Sequence, residues 1–328
     1  MRSPLLLAAL LGGTALPGLA LAEVPKVVTD LPAVQSLALQ VMGDLGPVDV
    51  LLEQGANAHS YQMKPSQARA LERADLVLWV GAEMTPWLDR AITSVAPDAH
   101  VLSLLHAEGT HRQDFAAAHD HEDAHGADEH AADAHNHAAE GADTHGDEDE
   151  DGHVHAGLDP HAWLDPANAE LWLGLIADEF SRLDPEHAAT YAANAEAAKA
   201  KIAALDATLT AELAPVKDRP FVVFHAAYGY FADHYGLKVA GAIALGDATD
   251  PGAAHLAELR AELTADGVVC AFPEAQHDTR PAERLIEGTG VRLGGALDPS
   301  GSTLTYGADL YERLMQGLAG TISGCLAS

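Results

Sequence analysis

Basic residues are scarce in this chain of 328 residues: 18 Lys and Arg stand against 49 Asp and Glu, a formal net charge of −31. Nucleic acid and anionic membrane surfaces would repel such a chain, so both are excluded as partners. Beyond residue 22 no run is apolar enough to cross a bilayer. Only two cysteines occur, Cys270 and Cys325, and neither stands where a lipid-anchored export signal would need one. Short catalytic signatures are missing as well, with no HExxH and no nucleophile elbow. What the chain does have is apolar material, 48% of its residues, which excludes global disorder, and 19 histidines. The length suits two domains of ordinary size.

Residues 1–22 read MRSPLLLAALLGGTALPGLALA. A basic residue precedes an apolar run, and Ala20-Leu21-Ala22 supplies small residues at a cut site, the pattern of a cleavable secretory signal. Gly12, Gly13, Pro17 and Gly18 interrupt the run, which argues against a membrane anchor. The expected mature chain is soluble and exported, beginning at Glu23. Export to an oxidising compartment favours a bridge between Cys270 and Cys325 over two buried thiols. Closing so long a loop is worth about 4 kcal/mol in the chain-entropy picture.

The acid is unevenly distributed. Residues 106–155 hold 11 His and 15 acidic residues against a single base, Arg112, for a net −14. Past Phe115 the stretch has almost no large apolar side chain, so it cannot bury enough surface to offset the entropy of ordering. It reads as a disordered insertion rather than a domain. The rest of the mature chain carries −18, acidic but ordinary.

That remainder alternates strand-like and helix-like segments. KVVT, VDVLL, DLVLWVG and HVLSLL read as strands, with PAVQSLALQVMGDLG, PSQARALERA and PWLDRAITSV as helices between them. Pro166 to Leu183 reads as a helix with Asp165 at its N-cap. The Ala-rich run from Pro185 to Val216 predicts one unusually long helix of about 28 residues, some 42 Å at 1.5 Å per residue, acting as a stiff connector. A second alternation follows: FVVFH, LKVAGAIA, VVCAFP and VRLGGALD as strands and four more helices. The expected fold is α/β, with parallel sheets built from βαβ units. The chain divides into a signal at 1–22, a first lobe at 23–183 carrying the insertion 106–155, a linking helix over 184–214 and a second lobe at 215–328.

Eight histidines lie outside the insertion: 59, 100, 161, 187, 225, 234, 255 and 277. His187 and His255 fall on helices, His100 and His234 near element ends, and His277 in a strand-to-helix loop after Glu274. Three are placed differently. His59 lies just past an expected strand, His225 ends FVVFH, and His161 sits in the Pro-bounded loop GLDPHAWLDP. Asp298 likewise ends VRLGGALD. Ligands of open α/β sheets bind beyond the carboxyl ends of strands. Three imidazoles and a carboxylate suit a borderline cation such as Zn²⁺. Spacing alone leaves a structural role open for each.

At these residues the sequence resembles the zinc-binding solute receptors of ABC importers, the ZnuA-type branch of the metal-receptor cluster. The resemblance rests on GANAHSYQMKPSQARALERADLVLWVG, DPHAWLDPANA, FVVFHAAYGYFADHYGL, CAFPEAQ and GGALDPSG, and covers nearly all of Glu23–Ser328. A His-rich acidic insertion before DPHAWLDP is typical of the zinc members. The resemblance implies two four-stranded, mainly parallel α/β lobes joined by one long rigid helix, with metal in the cleft between them. It implies ligands at His59 and His161 from the first lobe and His225 and Asp298 from the second. Manganese-type relatives carry Glu where this chain has His225, and imidazole is softer than carboxylate, which favours Zn²⁺. Some zinc members have an acid just before the first ligand histidine; here it is Ala58, leaving Asp298 or water to complete the shell. A late disulfide matching Cys270–Cys325 also belongs to the family.

The expected function is a periplasmic Zn²⁺ receptor that delivers its ion to a membrane ABC permease, as a monomer and with periplasmic zinc chaperones as further possible partners. His-rich tracts attract metal, so the insertion reads as a weak zinc collector or sensor tethered near the cleft, with His153 and His155 as auxiliary ligands beside DPHAWLDP. Two rival classes are a periplasmic zinc buffer without a transporter and a zinc hydrolase. The hydrolase lacks an evident general base, Glu274 being read as structural.

Overall fold

The computed structural model of the chain describes residues 24–115, 157–244 and 252–328. Its first sheet is built from short apolar strands. β1 (Val27–Thr29) is wholly buried and pairs in parallel with β2 (Val48–Val50) on one side and β3 (Leu76–Trp79) on the other; β3 pairs in parallel with β4 (His100–Ser103). The order is β2-β1-β3-β4. The second sheet repeats the plan with β5 (Phe221–Val223), β6 (Val239–Ala242), β7 (Cys270–Ala271) and β8 (Arg292–Leu293), again parallel and in the order β6-β5-β7-β8. Interior strands covered on both faces have no polar side, which is why LVLW and FVV appear as unbroken apolar runs.

Helices make the parallel crossovers: α1 (Pro32–Met42), α2 (Pro65–Glu72) and α3 (Pro86–Val95) in the first lobe. All three start on proline, whose missing N–H costs nothing in a first turn. α4 (Pro166–Leu183) starts the same way, and the Asp165 side chain caps it by accepting from Ala167 N at 2.9 Å. The expected long helix is α5 (Ala188–Leu213), of 26 residues, roughly 39 Å long. Its buried residues are Tyr191, Ala195, Ala198, Ile202, Leu205, Leu209 and Leu213. Spaced by three and four, they form one stripe along the whole helix, so the connector is packed over its full length and is stiff for that reason. The second lobe adds α6 (Gly229–Tyr235), α7 (Ala253–Ala265) and α8 (Arg280–Ile286), then α9 (Leu310–Leu326).

The lobes share a core. One continuous apolar cluster takes Leu37 and Val41 of α1, Trp172 of α4, Leu205 of α5, Phe231 of α6 and Leu314 and Leu318 of α9. The final helix, expected within the second lobe, packs on α1 and α5. Ser36 of α1 fixes its start, donating to Ala308 O at 2.8 Å and accepting from Tyr311 N at 3.0 Å. A disulfide between Cys270 and Cys325 ties β7 to the end of α9 across 55 positions of sequence.

Two expectations are corrected. The strand expected to run through VRLGGALD stops at Leu293, so Asp298 lies five residues beyond it. The Phe272 ring lies so close to the backbone of Gly294 that a Cβ there would overlap it, and beyond Leu293 the pairing is reduced to an isolated parallel bridge between Leu297 and Glu274. The body also reaches further into the expected insertion than its composition suggests, with residues 106–115 forming part of the fold. Local polar partners make this possible. Buried Thr110 donates to Leu104 O and accepts from Trp172 Nε1, while Asn168 accepts from His111 N and donates to His111 O. Asp114 forms an antiparallel bridge with Leu158, so the two described ends of the insertion meet as a short stem. His106 and His111 therefore belong to the body, paired with Glu83 and Asp165 respectively. His153 and His155 lie outside the described residues.

Candidate metal centre

Three loops bring three imidazoles together. Beyond β2 the chain runs to His59, whose backbone N–H donates to the Asn57 side chain at 2.9 Å in an Asx turn. The preceding carbonyl, of Ala58, accepts from Trp87 Nε1 at 2.9 Å, so α3 fixes this loop. In the Pro-bounded loop ahead of α4, Asp159 accepts from the backbone N–H of His161 at 2.9 Å. His225 follows β5 by two residues. Ring centroids lie 5.5 Å apart for His59 and His161, 6.0 Å for His59 and His225, and 5.3 Å for His161 and His225. One ring nitrogen from each lies within 4.8 Å of the other two.

Both buried rings are held from behind. His161 Nδ1 lies 2.8 Å from Asp159 Oδ1, and His225 Nδ1 makes a short hydrogen bond to Glu274 Oε2. A carboxylate on Nδ1 keeps its proton there, so Nε2 is the nitrogen left to bind a metal. His161 Nε2 is itself buried and has no hydrogen-bond partner among the described residues. His161 and His225 are 1% and 3% exposed, whereas His59 is half-buried.

The three rings line a small cavity together with Asn57, Met84, Trp163 and Gln276. Its volume of about 20 Å³ suits an ion or a water rather than an organic substrate. Both lobes wall it. Trp163, beside His161, donates its indole N–H to Pro299 O at 2.8 Å. Tyr230 of α6 reaches across to donate to Asp159 O at 2.9 Å. Burial raises the Tyr230 phenol to about 12, so it stays a donor at neutral pH.

Asp298 is placed elsewhere. Its Oδ1 accepts from Gln276 Nε2 at 3.0 Å, Ser300 Oγ at 3.2 Å and Ser302 N at 3.2 Å; its Oδ2 accepts from Thr303 N at 2.8 Å and from Thr303 Oγ1 at 2.6 Å. It is outside the group of metal-capable atoms and is not among the residues that line the cavity. Its carboxylate organises the turn after Leu297 instead.

The remaining histidines outside the insertion have structural partners. His187 bonds Asp184 at 2.7 Å, and His255 approaches Ala242 O at 3.0 Å. His100 pairs with Glu179, and His277 stacks on Phe224 with centroids 4.3 Å apart. His234 of α6 lies 3.2 Å from the Asp165 cap and 2.8 Å from Asp206 of α5, linking the second lobe to both α4 and the long helix. Its hydrogen bond to Asp165, with help from Asp206 and against partial burial, raises His234 to about 9.

Sequence reasoning passed over Asp159 and Gln276 and read Glu274 only as structural. A local signal existed for Asp159, two residues ahead of His161 in Asp-Pro-His. Glu274 and Gln276 follow β7, where the carboxyl-end rule applies as well as it does to His225.

Comparison with known proteins points the same way. The family model ZnuA, described as "Zinc-uptake complex component A periplasmic", matches residues 27–325. A "High-affinity zinc uptake system protein ZnuA" of Paracoccus denitrificans is 52% identical over 326 residues, 99% of this chain and 98% of that one. A protein of the same description from Brucella suis is 36% identical over 306 residues, 92% of this chain and 91% of that one. Among solved structures, one titled "Crystal structure of ZnuA" superposes with a TM-score of 0.69 at 24% identity, covering 91% of this chain and 98% of the other, a likeness of fold.

Proposed function

This chain belongs to the periplasmic zinc-uptake component A family, and on that premise we propose that it captures Zn²⁺ outside the inner membrane and hands it to an ABC permease for import. The observation that carries the reading is the convergence of His59, His161 and His225 on one ion-sized cavity, with Asp159 and Glu274 behind two of the rings.

Three neutral imidazoles are a good donor set for zinc, which takes nitrogen ligands in a tetrahedron and leaves its fourth place for water or a further protein oxygen. The backing carboxylates raise the basicity of the rings and fix their aim. Because His59 and His161 come from the first lobe and His225 from the second, the ion is held only while the lobes keep their relative position. A small shift of one against the other separates His225 from the pair His59 and His161 and breaks up the ligand set, which suits a carrier that must both hold and release. In this reading Asp298 becomes a ligand only by giving up its hydrogen bonds, and water takes the fourth position.

The same site argues for a receptor over a hydrolase: the cavity has no room for a substrate beside the ion, and both carboxylates next to it are occupied as histidine partners. The relatives' descriptions as zinc uptake proteins favour import over simple buffering. The insertion serves, in this account, as an auxiliary collector. A transport assay separates the readings: the cognate permease in vesicles should take up zinc only when supplied with this protein, and His225→Ala should abolish that uptake. Uptake that proceeds equally without the protein would leave buffering as its role, and a hydrolase activity lost in His225→Ala would make it an enzyme.

A further inference from the structure

Gln276 stands between the three-histidine group and Asp298. It follows β7 by five residues and lines the cavity with His59, His161 and His225. Its amide nitrogen donates to Asp298 Oδ1 at 3.0 Å and to Ser302 Oγ. An acidic acceptor on that end identifies it as the nitrogen and the other end as oxygen. That oxygen, Oε1, is buried and has no hydrogen-bond partner among the described residues. A buried amide oxygen of this kind is satisfied in nearly all proteins, so its position beside an ion site asks which donor it serves.

A zinc ion held by three imidazoles answers. With three protein ligands, such an ion would take a water in its fourth place, and both protons of that water would need acceptors. Asp298 is the nearby carboxylate that would otherwise compete for the ion, and Gln276, Ser300, Ser302 and Thr303 keep both its oxygens engaged. Resting on the zinc-receptor reading above, we propose that Gln276 is a selectivity residue: it ties Asp298 away from the ion and accepts, through Oε1, a hydrogen bond from the water that completes the zinc shell. The carboxylate left lining the cavity is then Glu274, which is engaged as the hydrogen-bond partner of His225. That favours Zn²⁺ over Mn²⁺, which prefers carboxylate and more oxygen ligands. The discrimination is made by a neutral side chain that touches no metal.

The test uses the full mature chain. Zn²⁺ and Mn²⁺ affinities are measured by competition with a chromophoric chelator, and Co²⁺ absorption reports coordination number. Gln276→Leu removes the acceptor and, of the five hydrogen bonds that hold Asp298, the one from the cavity side. It should shift the Mn²⁺-to-Zn²⁺ affinity ratio toward manganese by about tenfold and weaken the visible Co²⁺ band as the shell expands; adding Asp298→Asn should cancel the gain, a coupling that a double-mutant cycle reads directly. Gln276→Glu keeps the size of the side chain and should move the ratio the same way, since a carboxylate cannot donate to Asp298. With Gln276 intact, Asp298→Asn should leave zinc affinity within about threefold of the parent. A wild-type ratio and Co²⁺ spectrum in both Gln276 variants would overturn the proposal. So would Asp298→Asn alone costing as much zinc affinity as His161→Ala, because Asp298 would then already be a ligand. Zinc affinity that survives His161→Ala fails differently: it refutes the three-histidine reading beneath the proposal.

Discussion

Asp159 and His161, two residues apart, form a buried pair in which the carboxylate accepts from both the backbone N–H and the Nδ1 of the same histidine, at 2.9 and 2.8 Å. The side chains are 2% and 1% exposed. A rigid Asp-Pro-His segment thus fixes ring, tautomer and aim together, and presents Nε2 to His59 and His225. Glu274 does the same for His225 from a different loop.

Removing either carboxylate should weaken metal binding without removing a ligand. Asp159→Asn and Glu274→Gln should each cost 10- to 100-fold in zinc affinity, about the usual effect of a ligand's hydrogen-bond partner. Chelator competition measures this, and far-ultraviolet circular dichroism confirms the fold. Affinity unchanged in both variants would mean the carboxylates only fill space.

His234 predicts how stability changes with pH. It sits between Asp165 of the α4 cap and Asp206 of α5, with His111 on the other Asp165 oxygen and Glu170 nearby. Burial opposes the charge on Asp165, but hydrogen bonds from His234 and His111 outweigh it and hold the group below its ordinary value. Hydrogen bonding to Asp165, then to Asp206, lifts His234 from 6.5 to about 9. A raised folded-state value means the contribution to stability is complete below 6.5 and is lost as pH rises through about 9. Urea unfolding of the metal-free protein should therefore show stability falling between neutral and mildly alkaline pH, and His234→Gln should flatten that slope. An equal slope in the variant would assign the pH dependence elsewhere.

Reducing the disulfide should destabilise the fold more than the zinc site. Cys270 is buried in β7 and Cys325 lies in the last turns of α9, so the bridge fastens the terminal helix to the second sheet. Loss of a closed loop of this length costs about 4 kcal/mol in the chain-entropy model. Denaturant midpoints with and without reductant, or with Cys325→Ser, measure it. A shift near zero would show that the packing of Leu314, Leu318 and Ile322 alone secures the helix.

Much of the architecture was legible in the sequence because buried parallel strands and long amphipathic helices leave periodic marks. The Tyr191-to-Leu213 stripe announces α5, and LVLW announces β3. The three histidines stood out for a different reason: each lies in a loop at the end of a strand or ahead of a helix. Asp298 looked equivalent because VRLGGALD reads as one strand; the regular strand stops at Leu293, and the hydrogen bond that Asp298 accepts from Gln276, 22 positions away, is a tertiary contact that no local pattern reports. The same limit hid the roles of Glu274 and Gln276. A carboxylate that orients a ring 49 positions away, as Glu274 does His225, has no sequence period to betray it. Composition likewise placed Thr110 and His111 in the insertion, because it could not see Asn168 and Trp172 waiting to bond them.

The central claim is that one zinc ion binds at His59, His161 and His225, apart from the histidines of the insertion. Zinc titration of the mature chain, of a form lacking residues 116–156 and of His59→Ala tests it directly. The account predicts one tight equivalent in the mature chain, retained in the shortened form and lost in His59→Ala. Tight binding that disappears with the insertion yet survives His59→Ala would contradict it.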